Sequence, residues 1–164
     1  MKTSGLISTV LLLVVSGCWY GFAGGGLPSN IETIAVLPFE NATPAPELAR
    51  EVYEALRGPI ESRLGLRSAS EERADAVVRG TILRYDTDVP VGFSADPDQA
   101  TTARRKLQLS LDIEIIDQTS GRTLWSQRNL TVDAEYAERA ERDGLERALE
   151  RLVEAVIDGA QSQW

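Results

Sequence analysis

The chain has no histidine and a single cysteine, Cys18, among its 164 residues. Without histidine, a nucleophile–histidine catalytic pair cannot form, and the commonest zinc sites are excluded because they combine histidine with cysteine. The sequence also lacks a D-x-D-x-D-G calcium loop, a glycine-rich phosphate loop and an H-E-x-x-H motif. Its carboxylates are scattered along predicted helix faces and turns, where solvation explains them. We therefore predict that the protein is not an enzyme and holds no metal or other dissociable cofactor.

Basic residues are few as well. The sequence has 17 lysines and arginines against 25 aspartates and glutamates, which gives a formal net charge of −8. Nucleic acids and anionic membranes both attract basic protein surfaces, so this balance argues against a nucleic-acid partner and against electrostatic adhesion to a membrane. The content of apolar residues, 43%, and of charged residues, 26%, is ordinary for a globular domain.

The N-terminus has the anatomy of a secretory signal peptide. Lys2 supplies a positive charge, Leu6 to Val15 form an apolar run, and two small residues precede Cys18. The apolar run spans about ten residues, whereas about twenty are needed to cross a bilayer as a helix. A cysteine directly after small residues resembles the lipobox of bacterial lipoproteins, in which the peptide is cut before the cysteine and acyl chains are attached to it. Two or more acyl chains anchor a protein stably.

We therefore predict a lipoprotein signal peptide over residues 1–17 and a covalent lipid on Cys18. An ordinary signal peptide with an incidental cysteine is the alternative. Residues 18–30 contain a glycine triplet, Gly24 to Gly26, which regular structure tolerates poorly, so this segment is predicted to be a flexible tether. One α/β domain is expected over residues 31–164.

The first half of that domain predicts a strand, a helix and a second strand. Ile31 to Phe39 is rich in β-forming residues. From Glu47, apolar residues recur every four positions, which is typical of an amphipathic helix; they are Leu48, Val52, Leu56, Ile60 and Leu64. Pro59 predicts a kink, or a helix that stops and restarts. Ala74 to Tyr85 follows as a strand in which Gly80 indicates a bulge or a close backbone approach.

The second half predicts a long connection, two more strands and a terminal helix. Residues 86–103 are rich in aspartate and proline and are expected to form the connection. Lys106 to Asp117 alternates strictly between apolar and polar residues, which predicts a half-buried strand. A turn over residues 118–122 leads into the strand Thr123 to Val132, with Trp125 facing away from the core. The last helix is expected to begin with a capping box, Asp143 with Glu146, or earlier near Ala137, and to pair Glu138 with Arg142.

These elements predict an α+β fold in the order βαβββα. Two amphipathic helices pack on one face of a four-stranded mixed sheet, in which the first two strands are parallel and the last three form a meander. The opposite face, which bears polar residues and Trp125, is expected to stay uncovered in the monomer.

Several stretches resemble the LptE family of lipopolysaccharide-assembly lipoproteins. They occur in the family's order, and the lipobox and the terminal helix agree with the resemblance; the stretches are residues 26–28, 31–36, 39–41, 74–81, 119–125 and 129–130. The resemblance implies a protein of the cell outer membrane, anchored by its lipid, with its domain on the periplasmic side or inside a partner barrel. In that family the protein is the plug and assembly partner of the LptD β-barrel, and the pair delivers lipopolysaccharide to the outer leaflet. No bond change is implied.

The resemblance also implies where lipopolysaccharide is bound. The family is thought to contact it through basic residues near the loop between the second and third strands, and the matching residues here are Arg104, Arg105 and Lys106. Guanidinium groups suit phosphate because they form forked, charge-assisted hydrogen bonds. The alternative is a solvated strand entry whose charges protect a sheet edge. Trp125 is either a contact with the barrel or an ordinary packed aromatic residue.

Two other functions stay open on the sequence. A lipoprotein that regulates a periplasmic cell-envelope enzyme, such as a peptidoglycan-synthase activator, also presents an α/β domain on a tether. The tether here reaches at most about 40 Å, whereas a regulator of that type needs a longer one. A carboxylate-based enzyme would require a cleft with paired acids of shifted pKa.

Overall fold

The computed structural model describes residues 27–90 and 104–162. The predicted signal peptide, Cys18, residues 18–26 of the tether, and residues 91–103 of the predicted connection lie outside the described residues.

The described chain forms six strands, two α-helices and one turn of 3₁₀ helix. The strands are β1 (Thr33–Val36), β2 (Glu40–Asn41), β3 (Arg67–Ser68), β4 (Ala76–Pro90), β5 (Arg104–Asp117) and β6 (Thr123–Ala137). The helices are α1 (Leu48–Arg63) and α2 (Glu141–Gln161), and the 3₁₀ turn is Glu71–Arg73. Neither α-helix in this part of the chain combines the length and the apolar character needed to cross a bilayer.

The strands form one mixed sheet in the order β3-β1-β4-β5-β6, with β2 also pairing with β4. β1 is parallel to β3 and β4, β2 is parallel to β4, and β4, β5 and β6 form an antiparallel meander. The parallel crossover and the meander are confirmed. The prediction of four strands is wrong, because β2 and β3 add two strands of two residues each, which are too short to show a periodicity in sequence.

β1 and β2 lie along the same edge of β4 and are separated by Leu37 to Phe39. β1 ends at Val36, two residues before Pro38, whose missing N–H could not donate to a strand ladder. The ring of Phe39 then lies over Gly80 in β4, where a Cβ atom would stand 2.5 Å from its Cε1 and 2.3 Å from the carbonyl oxygen of Asp112. Gly80 therefore serves the close approach that the sequence indicated.

α1 buries the apolar stripe that the sequence predicted, since Leu48, Val52, Leu56 and Ile60 are all fully buried. The helix runs without interruption through Pro59, so the predicted stop and restart is wrong. The preceding residue, Gly58, has no Cβ to collide with the proline ring, which is the contact that usually excludes helical geometry before proline.

β4 and β6 are longer than the sequence indicated. β4 continues to Pro90 and β6 to Ala137, although residues 86–90 were predicted to be part of a loop. Both extensions pair with β5, where Asp86 lies opposite Gln108 and Tyr136 lies opposite Arg105. Pairing with a strong neighbouring strand thus overrides the turn-forming character of the segment.

α2 begins at Glu141, and its N-cap residue, Ala140, makes no side-chain hydrogen bond. The predicted capping box does not form, because Asp143 already lies inside the first turn. Glu138 lies before the helix and pairs with Arg105 at 3.5 Å, not with Arg142 as predicted.

Both helices pack on the same face of the sheet and enclose the main hydrophobic core. α2 approaches β6 closely at two points. A Cβ atom at Gly144 would stand 2.8 Å from the ring of Tyr136, and one at Gly159 would stand 2.5 Å from the ring of Trp125. α1 and α2 are joined by an ion pair between the largely buried Glu51 and Arg142, at 3.0 Å.

Candidate interaction surface

The sheet face opposite the helices, called the open face below because neither α-helix packs on it, carries a network of polar side chains. On β4 and β5, Arg79 donates to Glu114 at 2.7 Å. On β5 and β6, the hydroxyl groups of Ser110 and Thr131 share a hydrogen bond of 2.8 Å. Further along these strands, Lys106 pairs with Asp133 at 2.8 Å. The open face therefore satisfies most of its own charges across neighbouring strands.

One end of the open face is covered by the chain itself. The 3₁₀ turn and its flanks pack a small apolar cluster onto the sheet, comprising Ala35, Ala74 and Val77 in its centre and Leu37, Ala69 and Ile116 around it. Beyond this cluster the face opens into a shallow cavity of about 680 Å³. Arg79, Thr81, Glu114 and Arg128 are among the residues that line it. No other cluster of the described residues covers the face.

The three predicted lipopolysaccharide contacts lie at the start of β5. Arg104 is the first residue of the strand. Arg105 pairs with Asp88 at 2.7 Å and with Glu138 at 3.5 Å. The carboxylate of Asp88, followed by that of Glu138, raises the pKa of the Arg105 guanidinium above its ordinary value. Together with the pairing of Lys106, this means that two of the three cations already face carboxylates, and a phosphate would compete with these for them.

Trp125 lies in the packed interior, with 4% of its surface exposed, against Gly159 of α2. The prediction that it faces the open side of the sheet is wrong. Ile115 lies opposite Trp125 and Ile116 lies opposite Thr123, so Leu124 is an extra residue on β6. Such a bulge shifts the alternation by one position and turns both Leu124 and Trp125 inward. This placement is that of a packed aromatic residue.

The shifted carboxylates of the described chain are structural. The Thr33 hydroxyl and two backbone N–H groups lower the pKa of Asp75, and Ser120, through its hydroxyl and its N–H, lowers that of Asp117 in the hairpin turn. Burial, followed by the charge of Glu141, raises the pKa of Tyr85. No group of three carboxylates within the two described ranges is arranged to hold a metal ion.

The sequence did not single out Arg79 and Glu114. Both occupy polar positions of alternating strands, which is a signal for the open face, but their pairing depends on the register between β4 and β5. That register places Arg79 directly opposite Glu114.

Comparison with known proteins identifies a family and a fold. The model of a family described as "LptE: Lipopolysaccharide-assembly" matches residues 31–158. No curated protein matched the chain.

Three solved structures illustrate the shared fold. The PelC dodecamer from Paraburkholderia phytofirmans is 17% identical with a TM-score of 0.58, over 84% of this chain and 94% of that chain. Protein XCC0632 from Xanthomonas campestris is 13% identical with a TM-score of 0.58, over 86% and 87%. Lipoprotein GNA1162 from Neisseria meningitidis is 17% identical with a TM-score of 0.50, over 77% and 96%. At these identities the likeness shows the fold alone.

Proposed function

The chain belongs to the LptE family of lipopolysaccharide-assembly lipoproteins, and from this premise we propose that it is the plug and assembly partner of an LptD-type β-barrel in the outer membrane. The proposed role is physical: the domain occupies the barrel lumen and assists the delivery of lipopolysaccharide to the outer leaflet. The family is a non-enzymatic one, and the role requires no bond change.

The open face is the observation that carries this proposal. A broad sheet face with polar side chains and internally paired charges suits the lumen of an outer-membrane barrel, which is polar and wet. We propose that the stretch of this face beyond the small apolar cluster contacts the barrel wall. The ion pair between Arg79 and Glu114 lies within that stretch, next to the 680 Å³ cavity.

Membrane attachment and lipid contact complete the proposal. A covalent lipid on Cys18 would hold the protein at the outer membrane, and the tether would let the domain enter the barrel from the periplasmic side. Arg104, Arg105 and Lys106 stay candidates for the phosphates of lipopolysaccharide. Contact with the last two would require the phosphate to displace the carboxylates of Asp88 and Asp133.

The decisive experiment is co-purification of the tagged lipoprotein from its own cells in a mild detergent. The unaltered protein is expected to recover a large β-barrel protein. Arg79→Glu places two like charges on the open face and is expected to lower that recovery at least about fivefold, because like charges at an interface are repelled or left unpaired. Depletion of the protein is expected to leave lipopolysaccharide away from the cell surface.

Arg57→Glu is the matched control. Arg57 also forms an exposed pair with a glutamate, Glu61, and its side chain is 53% exposed against 59% for Arg79, but it lies on α1. The Arg57→Glu variant should recover the barrel to within about twofold of the amount that the unaltered protein recovers. Isolation without any barrel would overturn the proposal, and recovery of a peptidoglycan synthase instead would favour the regulator alternative. An equal loss of barrel recovery in Arg79→Glu and Arg57→Glu would show that the open face is not the contact with the barrel.

A further inference from the structure

A groove runs between α1 and α2, with a volume of about 480 Å³. Ala55 and Pro59 of α1 and Leu149 and Val153 of α2 supply its apolar lining. The two α1 side chains are small, so the helices leave space between them that larger residues would fill. The groove adjoins a smaller depression towards the start of α2, and the two share Glu146 and Leu149.

The rim of this groove is acidic. Glu146, Glu150 and Glu154 follow one another at intervals of four residues along α2. Glu146 has a distant partner, Arg142, at 3.7 Å. Glu150 and Glu154 form no hydrogen bond or ion pair with any described residue. Arg63 is the single cation among the described residues that line the groove.

Two of the three arginines of α2, Arg147 and Arg151, point away from this row. Arg147 donates to the backbone carbonyl of Glu135 at 2.9 Å, and Arg151 donates to that of Asp133. Both carbonyls belong to β6, the edge strand of the sheet. The helix therefore separates these charges, with Arg147 and Arg151 bound to the sheet edge and Glu150 and Glu154 left beside the groove.

This arrangement is unfavourable for the isolated chain. Like charges four residues apart on a helix repel each other, and carboxylates near a helix C-terminus oppose the helix dipole. Asp158 continues the spacing, and the last turn of α2 contains no basic residue. A feature that conflicts with local stability, and that no ion pair with another described residue compensates, is expected at functional positions.

We propose that the groove binds a basic, amphipathic segment of a protein partner. Apolar side chains of that segment would occupy the lining between Ala55 and Leu149, and its lysines or arginines would pair with Glu150 and Glu154. The lining runs from Ala55 to Arg63 on α1 and from Glu146 to Glu154 on α2, about 12 Å of helix, so the groove accommodates about two turns of a helical segment or about four residues of an extended one.

The charge of the groove separates this partner from other occupants. Lipopolysaccharide phosphates and anionic membranes are repelled by the glutamate row, and a second copy of this chain would bring a net charge of −8. The proposal therefore concerns a different surface from the open face and does not depend on the plug role.

Binding is tested with a fluorescent 14-residue peptide of leucine and lysine in an amphipathic pattern, added to the full chain in nonionic detergent. Anisotropy is measured against protein-free micelles. Saturable binding is expected, and Glu150→Gln with Glu154→Gln should weaken it about fivefold to tenfold because two ion pairs are lost. Glu71→Gln with Glu72→Gln removes the same charge from the exposed 3₁₀ turn and should change the affinity less than about twofold.

Three results of this measurement would overturn the proposal. They are the absence of saturable binding, equal weakening by the two double variants, and equally tight binding of a leucine–glutamate peptide of the same pattern.

A second measurement identifies the partner in cells. A photoreactive amino acid in place of Leu149 is expected to cross-link to a protein segment with a net positive charge and apolar side chains. A synthetic copy of that segment should then compete with the leucine–lysine peptide. Cross-linking to lipid, to a second copy of this chain or to an acidic segment would contradict the proposal, as would a mapped segment that fails to compete.

Discussion

The side chain of Asp75 joins the starts of β1 and β4. One of its carboxylate oxygens accepts hydrogen bonds from the Thr33 hydroxyl at 2.8 Å, the Thr33 N–H at 2.9 Å and the Glu32 N–H at 3.0 Å. These donors favour the ionised carboxylate, so the pKa of Asp75 lies below its ordinary value of 3.8. The parallel pairing of the two strands is thereby coupled to the charge of one residue.

This coupling predicts a contribution to acid stability. Because the folded pKa is depressed, the stabilisation by Asp75 is fully present above the ordinary pKa of 3.8 and is lost as the pH falls through the folded pKa. Asp75→Asn should lower the free energy of unfolding at about pH 7 and flatten its decline below about pH 4. Urea unfolding from about pH 7 to about pH 2 measures both effects.

Glu72→Gln is the control, since Glu72 is exposed on the 3₁₀ turn and its side chain forms no hydrogen bond or ion pair with a described residue. It should follow the pH dependence of the unaltered chain. An acid limb in Asp75→Asn as steep as in the unaltered chain would contradict the role given to Asp75.

At the scale of elements, the contact of α2 with β6 depends on glycine facing an aromatic ring. In an ordinary helix interior, a change of glycine to alanine stabilises by about 0.5–1 kcal/mol. Gly159→Ala should instead destabilise the protein by about 1–3 kcal/mol, because the new methyl group would overlap the Trp125 ring. Chemical denaturation of the variant gives the difference.

A double-mutant cycle separates this clash from other effects. Trp125→Leu removes the ring and should itself cost about 2–4 kcal/mol through the cavity that it leaves. In the Trp125→Leu background, Gly159→Ala should lose most of its destabilising effect, because the ring that the methyl group would overlap is gone. Additive effects would show that the helix does not rest on this contact.

The elements also show what the sequence can and cannot predict. The strict alternation of β5 and the apolar stripe of α1 identify their core faces, because each period is long enough to read. The inward orientation of Trp125 cannot be predicted from the alternation of β6, because one extra residue, Leu124, shifts that alternation by one position. The extension of β4 escapes it too, since pairing with β5 decides the conformation of Asp86 to Pro90.

The candidate site is predictable to the same degree. Polar positions of β4 and β5 indicate a solvent-facing surface, and the run Arg104 to Lys106 is visible as a basic cluster in an acidic chain. The pairing of Arg105 with Asp88 brings together residues on either side of the connection between β4 and β5, and depends on where those strands end. The sequence therefore predicts which residues are charged but not which charges are already neutralised.

For the whole molecule, the two proposed surfaces differ in their electrostatics. The open face pairs its charges across strands, whereas the groove concentrates charge of one sign in a protein of net charge −8. Neutralising the groove should therefore stabilise the free protein. Glu150→Gln with Glu154→Gln is expected to raise the free energy of unfolding by about 0.5–1 kcal/mol and to reduce the further gain on adding salt.

Thermal and urea unfolding at low and high ionic strength measure this prediction. Glu71→Gln with Glu72→Gln removes the same net charge and serves as the control, with a change of about 0.5 kcal/mol or less. If Glu150→Gln with Glu154→Gln is no more stable than this control, the glutamate row does not lower the free energy of unfolding.

The division of charges on α2 has a consequence for how relatives diverge. Arg147 and Arg151 bind backbone carbonyls, which every sequence possesses, so a cation should persist at those positions whatever the partner. Glu146, Glu150 and Glu154 should instead drift in concert with basic residues encoded by another gene. Neighbouring positions of one helix would then vary differently among relatives: the arginine positions would keep a cation, and the glutamate positions would change together with those of the partner.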